Sequence, residues 1–234
     1  MVVGGKPELL LLHALPLDGS MWAEQAKLLP EATYAPTLYS LGDCIEAWAN
    51  EALKLTAGNR IIVVGCSVGG SCALEIAAIA PDRVAALVLI GTKANHRPDP
   101  AFHASALETL RTDGLEAAWH GLWEPLLFKA ASPRTVSKAK SITLRQSPED
   151  VARGVTVFHT RPSRDRTLST FPRPVIVVSG SDDVAPGPET SARQAGLAPS
   201  GRLHIVPECG HYVPLERPGV LNAILRDVIA EHQP

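Results

Sequence analysis

Four short, continuous runs of apolar residues set the strongest limit on how this chain folds. They cover residues 9–12, 61–64, 87–90 and 175–179, and none alternates between polar and apolar side chains. Such runs are typical of strands that are buried on both faces, as in a parallel sheet covered by helices. Weaker strand candidates lie at residues 34–38 and 203–206.

Amphipathic segments with a helical repeat separate these runs. They lie at residues 20–29, 43–56, 68–80 and 219–232. In the second segment the apolar side chains recur at helical spacing and form one stripe. Strands that alternate with helices predict an α/β fold with a doubly wound, mostly parallel sheet.

One region interrupts the alternation, because residues 93–170 contain no convincing strand. Helical patterns run from Pro98 to Thr112 and over residues 115–127, and Ser132-Pro133 and Ser147-Pro148 look like the starts of two more helices. The strand pattern then resumes at Val175. We therefore expect a single domain over residues 1–234, with a small helical cap inserted at about residues 93–170.

Composition and charge exclude several classes of protein. The net charge is −2, from 22 basic and 24 acidic residues, so no excess charge favours nucleic acid or an anionic membrane. No apolar run approaches the roughly 20 residues of a membrane span, and the N-terminus does not resemble a signal peptide. The four cysteines fit no zinc pattern, so we expect a cytoplasmic protein without a metal. The oligomeric state stays open.

The segment Gly65-Cys66-Ser67-Val68-Gly69 carries the clearest chemical signal. It follows a predicted strand and precedes a predicted helix, which is the context of a G-x-S-x-G nucleophile elbow. Such a turn strains the backbone of the serine and therefore needs small neighbours. It also places Ser67 over a helix N-terminus, where developing negative charge is stabilised. A glycine-rich turn without catalytic function is the alternative for the pentapeptide alone.

Two later loops strengthen the catalytic interpretation of Ser67. Asp182 and Asp183 follow the run at 175–179, and His211 follows the weak strand at 203–206. Loops that follow parallel strands lie at one edge of the sheet, which would bring these side chains close to Ser67. The chain order is Ser, Asp, His, which is the order of the α/β-hydrolases.

Taken together, the sequence resembles an α/β-hydrolase over nearly its whole length. The matching segments are residues 13–22, the elbow, Gly180-x-x-Asp183, and Gly210-His211 with Glu216-Arg217-Pro218. The first and last are typical of small esterases and lactonases, such as the 3-oxoadipate enol-lactonases and the BioH-like carboxylesterases. The family usually has Gly where this chain has Ala14, and often His where it has Cys66. Its first sheet strands look missing or vestigial here.

The resemblance implies a role for each site residue. Ser67 would attack an acyl carbon, His211 would act as base and then as acid, and Asp183 would orient His211. The backbone N–H groups of Leu15 and Val68 would form the oxyanion hole. The implied reaction is the hydrolysis of a small carboxylic ester or lactone, without a cofactor.

Several side chains have a functional and a structural interpretation. Three tryptophans, Trp22, Trp119 and Trp123, are candidates for substrate binding. For Trp22, packing in the core is the favoured interpretation. Trp119 and Trp123 stand four residues apart on one helix face, so they face either the core or the mouth of the active site, with equal weight for each. We expect Cys66 and Cys209 to be buried small residues, and His13 to support its loop. The histidines of the insertion are expected at solvated helix surfaces, namely His96, His103, His120 and His159. Glu208 and Glu216 are expected to be loop or helix-start carboxylates.

The same scaffold supports other reactions, because a fold does not fix a function. Hydrolysis of C–C bonds, cofactor-free haloperoxidation and lyase chemistry remain alternatives to ester hydrolysis. A ligand receptor without catalytic activity is the alternative from another class, and the complete set of Ser67, Asp183 and His211 argues against it.

Overall fold

A computed structural model describes residues 6–233 of the chain. Its centre is a six-stranded sheet in which every strand pair is parallel. The strands are β1 (Glu8–Leu12), β2 (Thr33–Tyr34), β3 (Ile61–Cys66), β4 (Val84–Ile90), β5 (Val175–Gly180) and β6 (Gly201–Val206). The predicted fold class, α/β with a mostly parallel sheet, is confirmed.

Ten α-helices lie in the same part of the chain. They are α1 (Ile45–Lys54), α2 (Val68–Ile79), α3 (Pro100–Thr112), α4 (Gly114–Ala118), α5 (Pro133–Leu144), α6 (Pro148–Thr160), α7 (Asp165–Thr170), α8 (Pro188–Leu197), α9 (Val213–Glu216) and α10 (Pro218–Glu231). Within residues 6–233, none of these helices combines the length and the apolar character that crossing a membrane requires.

The strand order indicates where on the sheet a ligand site is expected. It is β2-β1-β3-β4-β5-β6, so the chain first builds outward from β1 and then reverses direction to add β3 on its other side. In open α/β sheets, ligands bind beyond the carboxyl ends of the strands at such a switch point. The loops that follow β1 and β3 therefore border the expected site.

Burial of apolar side chains explains why the four main runs form the central strands. Residues 9–12, 61–64, 86–90 and 175–178 have no exposed surface at all. Fully burying a Val, Leu or Ile side chain contributes about 1.5–3 kcal/mol each. Within α1 the stripe is buried as its spacing predicts, with Trp48, Ala49 and Ala52 fully covered. Leu55, which the spacing also places on the stripe, follows the helix and is exposed.

Two predicted elements were wrong in the first forty residues. The predicted helix at 20–29 is two 3₁₀ turns, Gly19–Trp22 and Ala26–Leu28. Leu28 N–H donates to Gln25 O (3.0 Å), three residues back, which is a 3₁₀ hydrogen bond, and Asn222 of α10 donates to the Glu24 carbonyl (3.3 Å). The predicted strand at 34–38 stops at Tyr34, because Pro36 has no N–H to donate.

Helices α3 to α7 occupy the chain between β4 and β5, where the cap is predicted. Ser132 and Ser147 cap α5 and α6 as expected, since each hydroxyl accepts a backbone N–H of the first turn. The predicted helix at 115–127 is different. It consists of α4, a π-helical turn at Trp119–Trp123 and a 3₁₀ turn at Glu124–Leu126, because Pro125 cannot continue an α-helical hydrogen-bond ladder.

Candidate active site

Ser67 occupies the turn between β3 and α2. Its φ of 54° and ψ of −119° lie outside the regions that non-glycine residues prefer, at a cost of about 1–3 kcal/mol. Its N–H donates to Ile90 O (2.8 Å) and its carbonyl accepts from Gly70 N–H (3.0 Å), which holds the strained conformation. A Cβ on Gly69 would lie 2.1 Å from Leu12 O, so the turn requires glycine there.

Asp183 and His211 meet beyond the ends of β5 and β6. His211 Nδ1 lies 3.1 and 3.2 Å from the two carboxylate oxygens of Asp183, and both side chains are buried. Ala185 N–H donates to Asp183 Oδ1 (2.8 Å) and fixes the carboxylate. Asp182 is exposed and bonds the hydroxyl of Ser181 instead. The structure therefore pairs His211 with Asp183 and not with Asp182.

Gly91 lies next to Asp183 and His211, and no pattern in the sequence indicated it. It follows β4 with a φ of 53°, and a Cβ there would lie 2.7 Å from His211 Nδ1 and 3.1 Å from Asp183 Oδ2. Any larger side chain would therefore push His211 and Asp183 out of position.

One cavity of about 240 Å³ joins Ser67, His211 and Leu15. Among the described residues, Ser67 and His211 share this cavity without a direct hydrogen bond. Catalytic contacts of this kind often shorten only when a substrate binds. Much of the rest of the wall is apolar, with Phe102, Leu122, Trp123, Val155 and Phe158 contributed by the inserted helices.

Of the two predicted oxyanion-hole donors, Leu15 lines the cavity and Val68 directly follows Ser67, which also lines it. Val68 is the first residue of α2, where backbone N–H groups lack an acceptor within the helix. Leu15 lines the cavity, and its carbonyl accepts from the Tyr212 hydroxyl (3.0 Å), which anchors the loop after β1. Ala14, where the family usually has glycine, does not need the left-handed conformation in this loop.

The family assignment rests on the extent of the match as well as on this geometry. Residues 9–224 match the model of the alpha/beta hydrolase family. The chain belongs to that family. The predicted resemblance is thereby confirmed.

Relatives of this α/β-hydrolase include enzymes of more than one reaction type. The pimeloyl-(acyl-carrier protein) methyl ester esterase of Aromatoleum aromaticum is 27% identical, over 96% of this chain and 98% of its own. The 2-hydroxy-6-oxo-2,4-heptadienoate hydrolase of Pseudomonas putida is 25% identical, over 97% and 91%. A solved esterase from Thermogutta terrifontis is 27% identical with a TM-score of 0.86, covering 98% of this chain and 91% of that one. The enol-lactonase of Burkholderia xenovorans, at 20% identity, 98% and 94% coverage and a TM-score of 0.85, shares the fold.

His13 of this hydrolase supports its loop, as expected. Nδ1 donates to Ala14 O (3.0 Å) and Nε2 accepts the N–H of Leu38 (2.8 Å), so both ring nitrogens are engaged in the neutral form. Complete burial lowers the pKa of His13 from 6.5 to about 4. Protonation of Nε2 would leave two hydrogen-bond donors, Nε2–H and the N–H of Leu38, facing each other.

This histidine makes the stability of the hydrolase depend on pH. The folded pKa lies below the unfolded one, so the unfolded chain takes up the proton first as the pH falls from 6.5 towards 4. Between pH 7 and 4 we expect His13 to lower the free energy of unfolding by about 3 kcal/mol. Urea unfolding of the wild type and His13→Gln across this range measures the effect. Identical pH dependence in both proteins would contradict it.

The structure separates the three tryptophans, and it agrees with the core packing favoured for Trp22. Trp22 and Trp119 have no exposed surface and do not line the cavity, whereas Trp123 does. The π-helical turn explains why the last two differ, because it changes the angular spacing on which a shared helix face depends. Of the three substrate-binding candidates, the structure leaves only Trp123 at the cavity.

The histidines of the insertion are also not equivalent. His120 is exposed as expected, and His96 and His103 are half-buried, but His159 lines the cavity. His159 stacks on His103, with the ring centroids 5.0 Å apart. Burial, followed by the positive charges of His103 and Arg161, lowers the pKa of His159 to about 4. His159 is therefore neutral near pH 7.

The cysteines beside the site residues are buried, as predicted. Burial raises the pKa of the Cys66 thiol and of the Cys209 thiol well above the ordinary value, so both stay protonated. The Cys66 thiol lies 3.7 Å from the His211 carbonyl, to which it can donate. Both thiols therefore pack as small neutral groups.

Glu216 has a larger structural role than a helix-start carboxylate. Its Oε2 accepts the N–H groups of Phe128 (2.8 Å) and Gly210 (3.0 Å), and its Oε1 accepts that of Tyr212 (3.0 Å). His211 N–H donates to Leu126 O (2.8 Å) in the same place. These hydrogen bonds thus connect the loop that carries His211 to the segment inserted between β4 and β5. In the sequence, the spacing of Glu216 from His211 is the one signal for this role. The N–H groups that bind Glu216 could not be identified from the sequence.

Proposed function

We propose that this chain is a serine hydrolase that cleaves a carboxylic ester or lactone of a small molecule through an acyl-enzyme on Ser67. The observation that carries the proposal is the shared cavity of Ser67 and His211, with His211 held by the buried carboxylate of Asp183 at 3.1 Å. The esterase of Aromatoleum aromaticum, similar over nearly the full length of both chains, supports the same reaction class.

Acylation follows from the roles that these groups can fill. His211 Nε2 takes the proton of the Ser67 hydroxyl as Oγ attacks the carbonyl carbon. Because Nδ1–H donates to Asp183, the tautomer of His211 leaves Nε2 free to accept. Asp183 then stabilises the imidazolium, which gives its proton to the departing alkoxide.

Negative charge develops on the substrate oxygen during the attack. The backbone N–H groups of Val68 and Leu15 are the donors for it, each contributing on the order of 3 kcal/mol to the barrier. The positive end of α2 adds to this stabilisation. In the second half of the reaction, His211 removes a proton from water, which attacks the acyl carbon and releases the acid and Ser67.

Covalent labelling tests the proposal. A fluorophosphonate should inactivate the enzyme and add one phosphonyl group to the peptide that contains Ser67, as read by mass spectrometry. Nucleophilic serines react because their base and oxyanion donors are preorganised, whereas the other serines stay unmodified. Ser67→Ala is the control. Unlabelled Ser67 in a folded protein would overturn the proposal and favour a ligand receptor.

Hydrolysis of C–C bonds is the second candidate. The similarity to the 2-hydroxy-6-oxo-2,4-heptadienoate hydrolase, over 97% of this chain, favours it. Product analysis with a vinylogous diketone and a simple ester of similar size separates the two. Turnover of the diketone alone would replace ester hydrolysis by C–C bond hydrolysis.

A cytoplasmic location is part of the same proposal. The four cysteines are free, and three of them are buried, which suits a reducing compartment. Cell fractionation with an antibody to the chain would test this assignment.

A further inference from the structure

Arg161 is a buried cation on the wall of the active-site cavity. It follows α6 directly, and only 5% of its surface is exposed. One terminal nitrogen donates to the carbonyl of Phe158, and the guanidinium lies over the Phe158 ring, 3.9 Å from its centre. These contacts use one end of a group that carries five N–H donors. Burying a cation is costly unless an anion compensates for it.

No carboxylate of the described chain forms an ion pair with Arg161. The nearby Arg164 is different, since it holds both oxygens of Glu75 at 2.6 and 2.8 Å. Glu75 is therefore already engaged. Burial lowers the pKa of Arg161 to about 10, so it still carries a positive charge at neutral pH.

The surroundings of Arg161 strengthen the positive charge of this wall. Lys93 is a second cation that lines the same cavity, and the described lining contains no Asp or Glu. His159 also lines the cavity, but it is neutral near pH 7. The lowered pKa of His159 has the charge of Arg161 among its causes, after burial and His103. We call Lys93 and Arg161 the basic wall. Other parts of the cavity wall are apolar and include Leu122, Trp123 and Val155.

We propose that the basic wall binds a carboxylate of the substrate, through the free N–H groups of Arg161 with Lys93 beside it. The inference rests on the proposed function and narrows it to esters or lactones that carry a second, anionic group. An apolar chain would lie along Leu122 and Val155, with the reacting carbonyl at Ser67. The planar guanidinium matches the two oxygens of a carboxylate, which makes arginine the suited residue.

The test compares charged and uncharged substrates of the same shape. The charged series consists of the monomethyl esters of linear dicarboxylic acids, from succinate to suberate. In the uncharged series a primary carboxamide replaces the free carboxylate. At neutral pH we expect kcat/KM at the best chain length to favour the acid by about 10- to 100-fold, the range of a charge-assisted hydrogen bond. p-Nitrophenyl acetate serves as a neutral reference ester.

Variants separate recognition of charge from structural support. Arg161→Met should remove most of the preference for the acid and change kcat/KM for the carboxamide series little. Arg161→Lys should keep part of the preference, because the charge stays but the planar fork is lost. Arg166→Met is the matched control, since it removes the same charge from an exposed site on α7 outside the cavity. It should leave both series unchanged.

Each outcome decides the inference. Equal kcat/KM for acids and carboxamides at every length in the wild-type enzyme overturns it, whether or not any Arg161 variant folds. An equal loss for both series in Arg161→Met also overturns it and makes Arg161 structural. If p-nitrophenyl acetate is cleaved and Ser67 is labelled, these results leave the proposed hydrolase intact. If neither occurs, the proposed function fails and the inference falls with it.

Discussion

Replacing Ser67 with alanine is expected to lower kcat for ester hydrolysis by about 10⁴-fold or more. Alanine cannot form the acyl-enzyme, and it leaves His211 and Asp183 without a nucleophile to activate. The strained backbone at Ser67 tolerates alanine about as well as serine, so the fold should remain. Steady-state turnover of a neutral ester measures the loss, and thermal unfolding checks that the variant is folded.

Ser191→Ala provides a matched control for the serine-to-alanine change. Ser191 lies in α8, is fully buried and does not line the cavity, and within residues 6–233 its hydroxyl has no hydrogen-bond partner. Removing an unpaired buried hydroxyl should leave turnover unchanged and stability unchanged or higher by about 1 kcal/mol. Wild-type turnover by Ser67→Ala, or an equal loss in both variants, would contradict a nucleophilic role for Ser67.

The sequence predicted the central sheet and the position of the elbow because both depend on local patterns. Continuous apolar runs identify buried parallel strands, and each run places the residues after it at the same edge of the sheet. Ser67 and Asp183 each follow such a run, whereas His211 follows the weaker and largely exposed strand β6. Their position at one edge of the sheet was therefore predictable from the strands that precede them, although their hydrogen bonds were not. The choice of Asp183 over Asp182 needed the family resemblance.

Features that depend on contacts between distant segments were not predictable. The helix expected at 20–29 is instead two 3₁₀ turns, and the segment contacts Asn222, far along the chain, through the carbonyl of Glu24. Trp119 and Trp123 look equivalent in sequence, but both lie in a π-helical turn, in which Trp119 is buried in the core and Trp123 lines the cavity. Arg161 and His159 show no motif at all, and only the packing of α6 against the cavity gives them a common wall.

Glu216 belongs to the same class of long-range features, and it connects stability with the site. Three backbone N–H groups from two separate segments converge on its carboxylate, and all three belong to residues beside His211 or to the loop that His211 contacts. A buried N–H group without an acceptor costs about 1–3 kcal/mol. We therefore expect Glu216 to position His211 rather than to act as a second acid.

Glu216→Ala is expected to lower the free energy of unfolding by about 4 kcal/mol, because it leaves three N–H groups without an acceptor. Glu216→Gln should lose about half as much, since one amide oxygen still accepts two of them while its NH₂ group faces the third. Glu208→Gln, in the same loop but exposed and paired only with Arg217 at 3.2 Å, should change stability by less than about 0.5 kcal/mol.

Activity distinguishes positioning from stability alone. Below its unfolding temperature, folded Glu216→Gln should show a lower kcat with KM nearly unchanged, because a loosened His211 weakens proton transfer more than substrate binding. Denaturant unfolding and steady-state kinetics on the same samples measure both effects. A graded loss of stability with wild-type kcat would make Glu216 purely structural. Equal stability of Glu216→Ala and Glu208→Gln would contradict the hydrogen-bond argument altogether.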